Sequence, residues 1–272
     1  YELMDVESGS VVGFYDTEED DLVVRGDSFS PYVKSTFVHE LTHALQDQHF
    51  DLDREDIDDR DDEGSTAFSS VIEGDAVRIE QMYGASLPEA EQKEMEREEA
   101  ALGGSIDRDI PQVLFDLIGF PYIFGPILAN QLVEKGGQAR LDEAFRVPPS
   151  TSEQVMHPDL YVADGEVPLE VDDPKPAGKE IDAGVIGEFG LLLVLNELME
   201  TSDAFRAVRG WGGDRYVAWN EDDRTCVRIH VVMDTARDTT ELREALKNGG
   251  RESGGRLRVS GDDDLVVVTS CA

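Results

Sequence analysis

The chain has 272 residues, and 60 acidic against 24 basic residues give it a formal net charge of −36, which argues against the phosphate backbone of nucleic acid as a partner. Hydrophobic residues still make up 40% of the chain, so enough apolar surface is present to build a folded core, and the acidity does not indicate disorder. A folded chain with this much like charge repels itself unless salt screens it, and the composition therefore indicates a halophilic protein.

The first predicted elements are a β-hairpin and a long helix. Residues 11–25 contain two short β-like runs around an acidic turn. Ser30 followed by Pro31 is typical of a helix N-terminus. The apolar positions of this helix share one arc of the helical wheel: Val33, Phe37, Val38, Leu41, Ala44 and Leu45. His39 and His43 lie on another side, so we expect the apolar arc to be buried and the histidines to be displayed away from it.

Four segments follow in the first half of the chain. The acidic run at residues 51–63 favours a solvated loop, and the periodicity after it predicts a second helix over about 65–83. Residues 85–108 are charged and favour an exposed acidic helix. Residues 113–133 are the most apolar stretch, but prolines and glycines divide it. We therefore expect two buried core helices there, each too short to span a membrane.

The last hundred residues differ in pattern from the rest. Residues 162–183 are rich in Asp, Pro and Gly and favour an exposed connector, while residues 185–199 favour a helix that is buried on most sides. Four runs then predict strands, with a helix near 239–247 between the second and the third: 216–219, 226–233, 257–260 and 265–269. The predicted fold class is α+β, with one unit over residues 1–172 and an antiparallel C-terminal α+β extension over 173–272.

The two cysteines, Cys226 and Cys271, both lie in or beside these β-like runs. A disulfide between them would close a loop of about 45 residues and contribute up to about 4 kcal/mol in the chain-entropy model. Two buried free thiols are the alternative interpretation.

Residues 39–43, His-Glu-Leu-Thr-His, are the strongest chemical signal in the chain. On a helix, two histidines four residues apart point from one face and can bind one Zn²⁺. A glutamate directly after the first histidine can act on a metal-bound water, so His39 and His43 are the predicted ligands and Glu40 the predicted general base.

A catalytic zinc also needs a third protein ligand and an open position for water. His49 follows His39 by ten residues, which is the metzincin spacing, but that motif needs a glycine where this chain has Gln46. If the helix continues, His49 lies about 15 Å along the axis from His39 and off the zinc face, so we do not expect it to be a ligand. The alternative is a carboxylate from the following helix, where residues 73–76 read Glu-Gly-Asp-Ala.

With these residues the chain resembles the gluzincin class of zinc metallopeptidases, in which a glutamate from the next helix completes an H-E-x-x-H site. It looks especially similar to secreted or surface H-E-x-x-H proteins of haloarchaea and some bacteria. The likeness extends over most of the chain, through residues 13–16, 39–52, 73–76, 150–158 and 210–216. It implies a zincin-like, helix-rich metallopeptidase unit with His39, His43 and Glu73 as zinc ligands and Glu40 as general base. One departure is Val77, where the thermolysin-like pattern has an acid.

Asp75 is the second acid of this segment. It falls in the middle of the apolar arc of its helix, whereas Glu73 lies on the flank. Because a buried aspartate needs a partner, we expect Asp75 to accept the outer N–H of a zinc histidine. The alternative, with Asp75 as the ligand and Glu73 at the surface, remains open.

The expected reaction is hydrolysis of a peptide or protein substrate. Zinc lowers the pKa of bound water, and Glu40 takes its proton and later gives it to the leaving amine. The edge of the hairpin at residues 11–25 is suited to hold an extended peptide by strand addition. His157 and Tyr161 are candidates to stabilise the oxyanion, although a structural His157 that caps its turn is the other interpretation. His230, within a strand, is expected to pack in the sheet.

Zn²⁺ is thus the expected cofactor, and the resemblance places the protein outside the cell or at the cell surface, with a removed N-terminal segment as a possible anchor. Two rival functions are a non-catalytic cell-surface protein with a structural zinc site and a module whose acidic loops bind Ca²⁺. Glu40 favours the enzyme, because a structural zinc site has no use for a carboxylate beside its ligands and usually has four protein ligands.

Overall fold

The structure is a computed structural model that describes residues 13–25, 28–54, 57, 62–102, 111–162, 167–252 and 257–271. Helices and a five-stranded antiparallel sheet make up its fold, so the predicted α+β class is confirmed. The acidic loop predicted at residues 51–63 lies largely outside the described residues.

The chain divides into two units. Tyr1–Ile57 and Phe68–Pro148 form the first unit, and Asp58–Ala67 and Pro149–Ala272 form the second. The division therefore falls before the predicted one at residue 172. Residues between these two points belong to the second unit because they pack within it, as when the backbone N–H of Leu169 donates to the carbonyl of Gly212 at 2.7 Å.

The first unit begins with the predicted hairpin and is otherwise helical. Strands β1 (Gly13–Asp16) and β2 (Asp21–Val24) pair antiparallel. The helices are α1 (Pro31–Phe50), α2 (Asp62–Ser86), α3 (Glu89–Leu102), α4 (Gln112–Gly136) and α5 (Gln138–Arg146). As predicted, Ser30 caps α1, since its hydroxyl accepts from the backbone N–H of Val33 at 3.3 Å.

The predicted orientation of α1 is wrong. Its buried side chains are mostly polar: Ser35, Glu40, Thr42, His43 and Gln46. Leu41 and Leu45, from the apolar arc, are 46% and 56% exposed. The reason is that β1 and α2 pack against the polar side, where hydrogen-bond partners offset the cost of burial. The polar face of α1 is therefore part of the interior of the first unit.

The apolar stretch at residues 113–133 also differs from the prediction of two buried helices. It lies in one continuous helix, α4, which contains Pro121 and Pro126. By length and composition α4 is long and apolar enough to cross a membrane, a property it shares with core helices of soluble proteins. Its later part is buried where Gly125 crosses Gly74 of α2: a Cβ added to Gly74 would lie 2.3 Å from the carbonyl oxygen of Gly125. Many side chains of its first half are exposed.

The second unit contains the predicted C-terminal α+β arrangement. Its helices are α6 (Ser152–Met156), α7 (Pro158–Val162), α8 (Gly187–Asn196), α9 (Thr201–Val208) and α10 (Ala236–Glu252). Its strands are β3 (Lys179–Gly184), β4 (Trp211–Glu221), β5 (Arg224–Met233), β6 (Leu257–Gly261) and β7 (Val266–Cys271), in the antiparallel order β3-β4-β5-β7-β6. Strand β3 was not predicted, because its side chains are exposed and carry no alternating apolar pattern.

The two cysteines are joined by a disulfide. Cys226 of β5 and Cys271 of β7 are direct cross-strand partners, and their sulfurs are bonded at 2.04 Å. Of the two alternatives that the sequence left open, the structure has the cross-link.

Candidate metal centre

The histidines of α1 and Glu73 of α2 converge within the first unit. The Nε2 atoms of His39 and His43 lie 3.2 Å and 3.4 Å from the same carboxylate oxygen of Glu73, Oε2. Ligand atoms about 2.0–2.1 Å from a tetrahedral zinc are about 3.3 Å apart, so the spacing fits a shared metal. The three side chains are also the group in the first unit, among the described residues, whose ligand atoms can share a metal ion.

Contacts at the opposite ring nitrogens set the tautomers. Nδ1 of His43 lies 3.0 Å from the amide oxygen of Gln46, whose Nε2 donates to the carbonyl of Ile72 at 3.1 Å and to Asp75 at 3.2 Å. These two donations fix which end of the amide is oxygen, so Nδ1 of His43 is the donor. Nδ1 of His39 lies 3.1 Å from the carboxylate of Glu80.

The consequence is that both Nε2 atoms present lone pairs to an ionised carboxylate oxygen. Three electron-rich atoms at 3.2–3.4 Å repel one another unless a cation lies between them. A metal ion or a proton can supply that charge, and the donor set of two imidazoles and one carboxylate is one that zinc accepts. The residues therefore fit Zn²⁺.

The pKa shifts have the same origin. Burial alone would lower the pKa of His39, but its bonds to Glu73 and Glu80 outweigh burial and raise the pKa to about 10. Burial would raise the pKa of Glu73, and the two histidines instead hold it well below its usual range. The field at the centre thus favours positive charge on the nitrogens and negative charge on Glu73.

Asp75 does not make the predicted bond to a histidine. Its carboxylate accepts from Gln46 at 3.2 Å and from the guanidinium of Arg78 at 2.7 Å. Asp75 thus supports His43 through Gln46, and the alternative in which Asp75 replaces Glu73 as a ligand is not what the structure places at the centre. The correction arises because Gln46, on the same helix as His43, reaches the ring first.

Sequence reasoning missed Gln46, Glu80 and Tyr122. Spacing contained a signal for the first two, since Gln46 follows His43 by three residues and Glu80 follows Glu73 by seven, each on one helix face. Ser35 also donates to Glu80 at 3.0 Å, which holds that carboxylate in place. Tyr122 comes from α4, and no local pattern relates it to the motif.

Tyr122 lies directly at the centre. Its hydroxyl donates to Oε1 of Glu73 at 2.8 Å, and its ring is nearly parallel to that of His39, at 17° with centroids 6.4 Å apart. The bond occupies the oxygen of Glu73 that does not face the histidines. Tyr122 therefore favours metal contact through one carboxylate oxygen.

Glu40 is buried between α1 and the hairpin. The backbone N–H of Tyr15 donates to its carboxylate, and a Cβ on Gly13 would lie 3.2 Å from its Cγ. The Tyr15 hydroxyl donates to Asp47 at 2.9 Å, which fastens β1 to α1. Burial raises the pKa of Glu40, an effect that the charges of His43 and His39 partly oppose. Glu40 is thus held next to the ligands without being one of them.

The other candidate side chains are elsewhere. His49 is exposed and lies beside Phe50, with ring centroids 6.2 Å apart. His157 belongs to the second unit, where its Nε2 pairs with the buried Glu188 at 3.0 Å, which agrees with the structural interpretation and does not group it with the ligands. Nδ1 of His230 lies 3.0 Å from the carbonyl of Asp172, as expected for a packed histidine. Cys226 and Cys271 are bonded to each other and are not metal ligands.

Comparison with known proteins reaches the second unit alone. Residues 175–270, about a third of the chain, match the model of a family described as a domain of unknown function, DUF8575. The matched range does not include the candidate metal centre. No curated protein and no solved structure matches the chain.

Proposed function

We propose that the protein is a zinc-dependent peptidase of gluzincin type, with a zincin-like first unit. The observation that supports this most is the convergence of His39, His43 and Glu73 beside a buried Glu40 that does not join them. Three protein ligands leave one position of a tetrahedral zinc open, which is what a catalytic site requires.

The residues of the chain divide the work. Zinc, when bound, supplies a Lewis acid that makes a coordinated water acidic near pH 7. Glu40 accepts the proton from the water as it attacks the peptide carbonyl, and it gives that proton to the leaving amine nitrogen. Burial prepares Glu40 for both steps, because the raised pKa of its carboxyl eases the protonated stage. Gln46, Glu80 and Tyr122 hold the ligands in one orientation.

The substrate and location belong to the same proposal. An extended peptide could lie along β1, which borders Glu40 through Tyr15. The cross-strand disulfide suits an oxidising compartment, which supports a position outside the cell or at its surface. The acidic composition supports action in molar salt.

A non-catalytic protein with a structural zinc site is the rival. Such sites are usually closed by four protein ligands. Within the described part of the chain three side chains converge, and the neighbouring Glu40 is buried without serving stability through a metal bond. This arrangement favours the enzyme.

The test compares wild type with Glu40→Gln on a mixed peptide library in molar salt, with bound zinc measured for both. Glu40→Gln keeps the shape of the side chain and removes the base, so we expect unchanged zinc content and cleavage reduced by a factor of about 100 or more. Glu96→Gln is the control, because Glu96 is exposed on α3. Equal cleavage by Glu40→Gln and wild type, or no cleavage by the zinc-loaded wild type, contradicts the proposal.

A further inference from the structure

The first half of α4 presents apolar side chains to solvent. Val113, Leu114, Leu117 and Ile118 are all exposed, and Asp116 is the one charged residue between residues 112 and 133. Asp116 is itself occupied, because Gln112 donates to it at 2.9 Å. In a chain in which 31% of residues are charged, this is an unusual surface. Contiguous exposed apolar surface is a mark of binding sites.

This surface is continuous with the metal centre. Tyr122 donates to Glu73 and stacks beside His39, and its ring remains 42% exposed. Ile118 precedes Tyr122 by four residues and is therefore its neighbour on the same helix face. Ile118 is likewise 42% exposed.

The packing of α4 explains why this face is open. Near its middle the helix crosses α2 at Gly125 and Gly74, and beyond the crossing Leu128, Ala129 and Leu132 are buried. Tyr122 lies one turn before the crossing, at Glu73. Ile118 and Leu114 continue the row toward the N-terminus of α4, past the ligand carboxylate. The same row of the helix is thus core on one side of the metal centre and exposed on the other.

We infer that Ile118 and Leu114 form an apolar subsite beside the metal centre, and that substrates carry a large aliphatic or aromatic side chain next to the scissile bond. The inference rests on the proposed function and names its substrate class. Burial of such a side chain against Ile118 releases water from both surfaces, and apolar contacts keep their strength in molar salt whereas ion pairs are screened. The acidity of the chain further disfavours acidic side chains at this position.

Continuity with the centre favours a substrate over other occupants of this surface. A bilayer-spanning α4 would have to give up the crossing of Gly125 with Gly74, which buries its later half. A second copy of the chain seated on Ile118 would cover Tyr122 as well. A substrate side chain, in contrast, reaches the surface whenever its peptide bond is at the metal.

The test uses two peptides that differ only in leucine or alanine next to the cleaved bond. We expect wild type to prefer the leucine peptide in kcat/KM by a factor of about 10–200, the range that apolar contacts supply. Ile118→Ser should reduce this ratio by about tenfold. The matched control is Ile127→Ser, because Ile127 is 49% exposed on the same helix. It follows Ile118 by nine residues, which places it about 180° away, and its ratio should equal that of wild type.

A binding arm separates failure of this inference from failure of the proposed function. Zinc-loaded Glu40→Gln is titrated with both peptides, with and without Ile118→Ser. Preferential binding of the leucine peptide that Ile118→Ser removes supports the subsite even if wild type cleaves nothing. Cleavage without preference, or equal binding of both peptides, overturns the subsite and leaves the peptidase proposal standing. An unchanged ratio in Ile118→Ser, together with lost vesicle binding or lost dimerisation, assigns the surface to another occupant and also overturns it.

Discussion

Replacement of Gln46 by leucine tests the hydrogen-bonded support of His43. Gln46 makes three hydrogen bonds, to His43 at 3.0 Å, Ile72 at 3.1 Å and Asp75 at 3.2 Å. Leucine has a similar volume and makes none of them. The Nδ1–H of His43 would then be buried without an acceptor, at a cost of about 1–3 kcal/mol. Asp75 keeps Arg78, at 2.7 Å, so its loss is smaller.

Zinc affinity should fall with this loss of orientation. Loss of a hydrogen-bond partner of a ligand typically weakens metal binding by about 10–100-fold, equivalent to about 1.4–2.7 kcal/mol. We expect Gln46→Leu to raise the zinc Kd within that range, measured by competition with a chelator in molar salt. Urea unfolding of the metal-free protein should show a loss of about 1–3 kcal/mol.

The control is Gln48→Leu. Gln48 lies two residues further along the same helix and is exposed, so the same chemical change is made without touching His43. Its zinc Kd and unfolding free energy should remain close to those of wild type. A Gln46→Leu protein whose zinc Kd lies within twofold of wild type would refute the assignment of Gln46 to the support of His43.

Two further predictions concern the fold. Gly74→Ala should lower the free energy of unfolding by about 1–3 kcal/mol or more, because the added Cβ would lie 2.3 Å from the carbonyl oxygen of Gly125; Gly137→Ala, where a Cβ meets nothing but φ is +68°, separates overlap from backbone strain, and equal melting temperatures for Gly74→Ala and wild type would count against the close crossing. Burial raises the pKa of Asp214 from 3.8 to about 6, against the opposing effect of its hydrogen bonds to Ile186, Gly187 and Trp211. Because the folded pKa is the higher one, this contribution to stability is complete below about pH 4 and is lost as pH rises through about 6; urea unfolding between pH 4 and 7 should show this slope in wild type and not in Asp214→Asn, and parallel curves would contradict it.

The sequence by itself determined the local elements and the identity of the chemical groups. Ser30 and Pro31 begin α1 where the capping pattern requires, and the spacing of His39 and His43 places both rings on one side of that helix. The strand patterns around Cys226 and Cys271 likewise predicted the C-terminal sheet. These features were predictable because capping, helix periodicity and strand alternation depend on residues a few positions apart.

The environment of the ligands was only partly predictable. Asp75 is buried as its position on the helical wheel requires, but its partner is Gln46 instead of a histidine. His157 was a candidate for catalysis until its pairing with Glu188, thirty-one residues away, became visible. In both cases the sequence indicated that a polar group needs a partner and did not say which one reaches it.

Only the tertiary structure decided which faces are buried. The apolar arc of α1 predicted burial of Leu41 and Leu45, yet the side bearing His43 and Glu40 is the one that packs, because the hairpin and α2 supply its hydrogen-bond partners. In α4, the close crossing of Gly125 with Gly74 sets where the core ends, and Tyr122 thereby reaches Glu73. Periodicity shows that a helix has two faces, but which face is covered depends on elements far away in the chain, and their positions are settled by packing.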